Sequence, residues 1–189
     1  MQSTLLKLFL ITSTTLLFAC STQVKHVIVN PELSTVSNNA FQQKQAQISF
    51  TDLRRTNHIV QILRANEAAE LYSPQKPLID IIKTSLSAGF KTSGLQLQPL
   101  AASKIEVVVD NALISVQQDL VKYTASNEIT LRVIAKNGRK TLTKTFKISG
   151  KSNGPFSADI AVLERDFNQQ LAKLLTQVTQ NKELHAFIN

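Results

Sequence analysis

Apolar residues recur along this chain in three rhythms, and each predicts a different element. The first is an apolar run, Leu8 to Ala19, broken only by small hydroxyl residues. The second is alternation, which begins at Ala46. Ile48 and Phe50 share a face, and HIVQIL at 58–63 and the pair Leu71-Tyr72 follow before two prolines. Side chains along a strand point to opposite faces in turn, so this stretch predicts two or three short strands between 46 and 72. The third rhythm is helical spacing in KPLIDIIKTSLSAGF, 76–90, where Leu78, Ile81, Ile82 and Leu86 fall on one side. An amphipathic helix is expected there, with Pro77 at its first position and Gly89 just past its end.

Alternation then resumes. Lys104 to Leu120 carries Ile105, Val107 and Val109, then Leu113, Ile114 and Val116. This predicts one bent strand, or two, with a bulge near Asp110-Asn111. In Tyr123 to Lys136, the residues Ile129, Leu131, Val133 and Ala135 alternate with Thr130, Arg132 and Lys136. Asn137-Gly138 predicts a type I′ turn, and Leu142, Phe146 and Ile148 continue beyond it. Residues 104–150 are therefore expected as an antiparallel three-stranded meander and Gly150–Pro155 as a loop. Ser157 suits the cap of a last helix, with Asp159 in its first turn. Ile160, Leu163, Phe167, Leu171, Leu174 and Val178 then form one long stripe. It should lie across the sheet, a coiled-coil partner being the alternative. The tail 183–189, with His185 and Phe187, can fold back on the domain. The expected class is α+β: a mostly antiparallel sheet with two helices packed on one face, preceded by a signal peptide and a flexible tether.

The first rhythm is too short to span a membrane. With Lys7 before it, it has the order of a signal peptide. It ends in Leu17-Phe18-Ala19-Cys20, which resembles the lipobox of bacterial lipoproteins: Leu17 and Ala19 fit, and Phe18 departs from the usual small residue. Cys20 is the one cysteine of the 189 residues. The resemblance implies that its sulfur is alkylated by a diacylglyceryl group and its new amine acylated; the alternative is a buried structural cysteine. A domain with no other thiol cannot mispair in an oxidising compartment. Ser21, where sorted lipoproteins kept at the inner membrane carry aspartate, favours the outer membrane. The expected division is a signal peptide at 1–19, acylated Cys20 and a polar tether at 20–45, and a periplasmic domain at 46–189. Within the tether, Val24 to Val29 reads as an edge strand or as part of the linker.

Charge adds one feature. Removal of 1–19 takes away only Lys7, leaving 20 cations against 13 anions, a net +7. Between Glu128 and Asp159 no acidic residue occurs, while Arg132, Lys136, Arg139, Lys140, Lys144, Lys147 and Lys151 do. Lysines also guard strand edges. The functional reading makes Lys136, Arg139, Lys140, Lys144, Lys147 and Lys151 contacts for an anionic partner: an envelope protein, an anionic lipid or peptidoglycan. Nucleic acid is not expected in that compartment. No enzyme chemistry is expected either. His26, His58 and His185 lack ligand spacing, so no metal or cofactor is expected, and the one thiol is committed to lipid. Gly150-Lys151-Ser152 resembles the end of a phosphate-binding loop, but Thr145 stands where its first glycine belongs. Asp52 and Arg54 read as a structural ion pair, with a binding role as the alternative; only a meeting of Asp52, Glu67 and Asp110 in one cleft would revive catalysis.

The lipobox, the polar tether, Asp52-Leu53-Arg54, the helix LIDIIKTSLSAGF and the terminal ELHAFI together resemble the YajG-type lipoproteins of Gram-negative bacteria. The likeness runs over nearly the whole chain. It implies a small envelope lipoprotein without assigned activity or catalytic residues, so only the acylated cysteine carries over, onto Cys20. The domain also resembles small α+β lipoproteins that assist transporters or cell-wall synthases, an analogy of fold alone.

Overall fold

The computed structural model describes residues 25–34 and 39–188. The expected signal peptide and lipobox, with Cys20, lie outside them.

Three long strands form the backbone of the sheet: β6 (Ser103–Gln118), β7 (Lys122–Asn137) and β8 (Lys140–Pro155). They pair antiparallel in chain order, as the alternation predicts. The bulge falls between Val109 and Asn111. It resolves a conflict of parity. Ile105, Val107 and Val109 are buried at odd positions and Ala112, Ile114 and Val116 at even ones. One extra residue returns the second set to the same face. Two local expectations fail. Gly150–Pro155 is strand rather than loop, because it pairs with Lys122–Asn127. The turn is displaced by one residue. Asn137 pairs with Lys140, so the central residues are Gly138 and Arg139. Gly138 takes a φ of 59° and Arg139 does not turn positive, the pattern of a II′ turn rather than I′. Asn137 remains in the strand, and its amide donates to the carbonyl of Phe187 at 3.1 Å.

The sheet is mixed rather than mostly antiparallel. The second edge of β6 carries two strands laid end to end. β2 (Gln45–Asp52) runs parallel to residues 103–109 and β3 (Val60–Leu63) parallel to 114–117. β4 (Glu70–Pro74) returns antiparallel to β3, β1 (Lys25–Val27) lies parallel to β4, and β5 (Gln96–Leu97) parallel to β2. Parallel pairing of β2 with β6 needs a crossover, and the first helix supplies it.

That helix, α1 (Leu78–Thr92), does not stop at Gly89. Gly89 is buried inside it, and a Cβ there would fall 2.8 Å from Cγ2 of Thr179. The residue permits close approach of α2 (Ile160–Thr179), and Gly94, at φ 84°, takes the turn after the helix. Asp159 rather than Ser157 caps α2, accepting from the Ala161 N–H at 2.8 Å. Leu163, Phe167, Leu171, Leu174 and Val178 are all buried against the sheet, so the stripe serves the core and not a coiled coil. The tail folds back as a third helix, α3 (Lys182–Ile188), which buries Leu184 and Ile188. His185 Nε2 lies 2.7 Å from the Thr179 carbonyl oxygen, and its ring packs 4.5 Å from that of Phe41.

The stretch from Lys25 to Gln45, expected as linker, lies on the folded body wherever it is described. Its extended piece is the edge strand β1. Val27, Val29 and Phe41 are buried, and Phe41 stacks edge-on against Phe90 at 5.7 Å. Burying such a ring contributes about 2–3 kcal/mol, so this segment is held to the core.

Candidate functional site

The sequence grouped six cations, and the strands divide them. In β8 even positions face the helices and odd ones face away. Lys144 points to the helix side and donates to both carboxylate oxygens of Glu183 at 2.9 Å. Lys147 points the other way and pairs with Glu128 at 2.7 Å. The hydrogen bond from Lys147, then that from Asn111, lowers the Glu128 carboxyl below its ordinary value. Lys151 lies eleven residues from Lys140, about 36 Å along the strand. These three are not part of one surface.

Lys136, Arg139 and Lys140 do gather at the β7–β8 turn, Lys140 on the helix side of the sheet and Lys136, opposite Thr141, on the other. The ladder ends at Asn137 and Lys140, with Gly138-Arg139 turning between them, and Lys136 stands one position back on β7. A fourth cation joins that the sequence did not flag: Lys104 is paired with Lys136 across β6 and β7. All four side chains are exposed, and among the described residues none forms an ion pair within 4 Å. Four unopposed cations on flexible stems bind anions by attraction rather than by a fitted pocket, each contributing up to about 1 kcal/mol near an anionic surface. The only sequence signal for Lys104 was its place at the start of an alternating run.

The acidic residues are dispersed. Asp52 accepts from the backbone N–H of Arg54 at 3.0 Å and from its guanidinium at 2.8 Å. Burial would raise its carboxyl, but these bonds outweigh burial and lower it. Asp110 pairs with Arg132 at 2.7 Å and Glu67 with Arg64 at 3.8 Å. Asp52, Glu67 and Asp110 therefore each meet an arginine and not one another. Among the described residues no group of three His, Cys, Asp or Glu is placed to hold a metal ion.

A polar cluster that the sequence did not reveal centres on Glu70. It accepts from Lys25, from the Tyr72 hydroxyl at 2.6 Å and from Arg64 at 3.0 Å. The bonds from Lys25 and Tyr72 hold its carboxyl down to about 2. Burial, then the bond to Glu70, pushes the Tyr72 phenol up to about 12. Arg64, Glu70 and Tyr72 meet through the β3–β4 pair, and Lys25 joins them only because β1 pairs with β4, a register no local pattern announces. The cluster clips the first described strand to the sheet.

A solved protein of Xanthomonas campestris, of the DUF330 family, shares the fold with a TM-score of 0.59 at 15% identity, over 87% of this chain and 97% of that one. The rare lipoprotein B of Shewanella oneidensis aligns with a TM-score of 0.37 at 9% identity, over 76% and 93%. No curated protein sequence matches. The model of Lipoprotein_16, an uncharacterised lipoprotein family, matches residues 31–189, and the chain belongs to that family, the YajG type its motifs resemble.

Proposed function

We propose that the protein is a non-enzymatic binding or accessory module, held through lipid on Cys20 at the periplasmic face of the outer membrane, which docks an acidic envelope protein on its basic tip. The observation that carries this reading is the group Lys104, Lys136, Arg139 and Lys140, unopposed in charge, while the neighbouring Lys144 and Lys147 are each neutralised within the domain. Membership of a lipoprotein family supports the anchor. In-cell crosslinking followed by purification tests the docking. Substitution of Lys136, Arg139 and Lys140 together by Glu should abolish the crosslinked partner. The same partner captured by the variant would overturn the reading, as would peptidoglycan or anionic lipid in its place. Mass spectrometry tests the anchor: a diacylglyceryl group on Cys20 is expected, and an unmodified thiol refutes it.

The alternative, a carrier of a small apolar ligand or lipid, has less support. The layer between helices and sheet is filled by Phe41, Phe90, Phe167 and Leu171. A surface groove of about 610 Å³ lies outside that layer, lined mostly by polar side chains such as Asn30, Glu32, Asn168 and Lys173.

A further inference from the structure

Three apolar side chains stand in solvent at the end of the sheet opposite the basic tip. Leu120 is 94% exposed, Val121 67% and Phe156 69%. Leu120 and Val121 are the central residues of the β6–β7 turn, where polar residues or glycine are usual. The turn does not need them. Asp119 satisfies its backbone, accepting from the N–H groups of Val121 and Lys122 at 2.9 and 2.8 Å. Phe156 sits beside them, donating its N–H to the Val121 carbonyl at 2.9 Å. Its φ is 60°, a left-handed conformation that a bulky residue adopts at a cost. So a strained aromatic residue and two turn residues present apolar surface to water, and burial in the domain explains none of them.

The register shows where this end lies relative to the start of the fold. Val60 pairs with both Tyr72 and Ile114, and Tyr72 pairs with Lys25. Lys25 is therefore level with Ile114, and Leu120 lies six residues beyond it, about 20 Å along the strand. β3 runs toward Leu120, β4 runs back, and β1 follows β4. The N-terminal end of β1 thus faces the Leu120 end. Four residues separate Cys20 from Lys25, and the five steps between them can span at most about 17 Å. A lipid on Cys20 and the apolar tip can reach the same plane.

We infer that Leu120, Val121 and Phe156 insert into the lipid interface of the membrane that holds the anchor, and stand the domain on end. This rests on the reading of Cys20 as acylated. The charges nearby offset each other: Lys25 and Arg64 pair with Glu70, Arg64 also meets Glu67, and Lys122 acts on Asp119. The contact is therefore apolar and does not require anionic lipid. It leaves the basic tip at the far end of β7, about 50 Å away.

The chain has no tryptophan, so Phe156→Trp introduces a single reporter of similar shape. Leu100→Trp is the control, since Leu100 is 97% exposed and precedes β6 at the opposite end. Each full-length protein, purified from membranes, is placed in phosphatidylcholine vesicles with brominated acyl chains. The indole of Phe156→Trp should emit at shorter wavelength and lose about half its emission, as expected for a side chain at the headgroup boundary, while that of Leu100→Trp is unchanged. Adding the double change Leu120→Ser with Val121→Ser to Phe156→Trp should restore the emission without lowering the melting temperature. An unquenched Phe156→Trp indole in protein shown by mass spectrometry to be acylated overturns the insertion alone. Equal quenching of both reporters overturns the end-on orientation. A quenched Phe156→Trp indole in protein with an unmodified Cys20 refutes the anchor and leaves the insertion standing.

Discussion

Replacing Glu70 by Gln should loosen the edge where the fold begins, and should do so only above acid pH. The carboxylate takes hydrogen bonds from Lys25, Tyr72 and Arg64, and its value falls from 4.5 to about 2. At about 1.4 kcal/mol per pKa unit, the ceiling is about 3 kcal/mol. Lys25 is half exposed, so solvent screening brings the expected contribution to about 1–2 kcal/mol. The sign follows from linkage: the folded carboxyl is depressed, so its contribution is complete above about pH 4.5, declines toward pH 2 and is absent below it. Urea unfolding followed by circular dichroism, for both proteins from pH 7 to pH 2, measures the difference. Other carboxylates titrate alike in the two, so only Glu70 separates them. Glu70→Gln should be less stable by about 1–2 kcal/mol at neutral pH, with the two curves converging as pH falls. Equal stability at pH 7, or a gap that persists unchanged at pH 2, would refute the argument.

Two further expectations concern packing and alkaline pH. Gly89→Ala should destabilise by about 1–3 kcal/mol through collision with Thr179, although alanine is the better helix former. Adding Thr179→Ser, which removes the colliding methyl, should recover most of the loss in a thermal melt; a fully stable Gly89→Ala single variant would show the helices to be further apart. The Tyr72 phenol, pushed up from 10.0 to about 12, contributes stability that is complete below pH 10 and lost as pH rises through 12. Tyr72→Phe should flatten the alkaline limb of the unfolding profile, and an unaltered limb would assign it to other groups.

The long strands were legible because alternation reports facing residue by residue. Even the bulge announced itself, as a change of parity between Val109 and Ala112. Direction left no such mark. Nothing in QISF or HIVQIL shows that both run parallel to β6 and share one of its edges. The segment after Cys20 looked like linker because Val27, Val29 and Phe41 are too few and too far apart to make a rhythm, although each is buried. The basic run was visible as charge, but a run of charge ignores parity. Lys144 and Lys147, three residues apart, point to opposite faces and find separate acids. Lys104 could join the tip only through a register with β7, and the Glu70 cluster needed one between β1 and β4.

Among the described strands β8 pairs with β7 alone, so one whole side of a sixteen-residue strand is left without a neighbour. Proteins tethered to a bilayer meet copies of themselves far more often than free ones do, and an open ladder invites stacking. The spacing of lysines in β8 works against it. Opposed residues of an antiparallel pair share a face, so two copies centred on Lys147 would set that residue against itself, and a slide of four residues would instead set Lys147 of each against Lys151 of the other. Like charges directly opposed are unfavourable. The lysines of that open strand thereby work against copies of the chain pairing edge to edge.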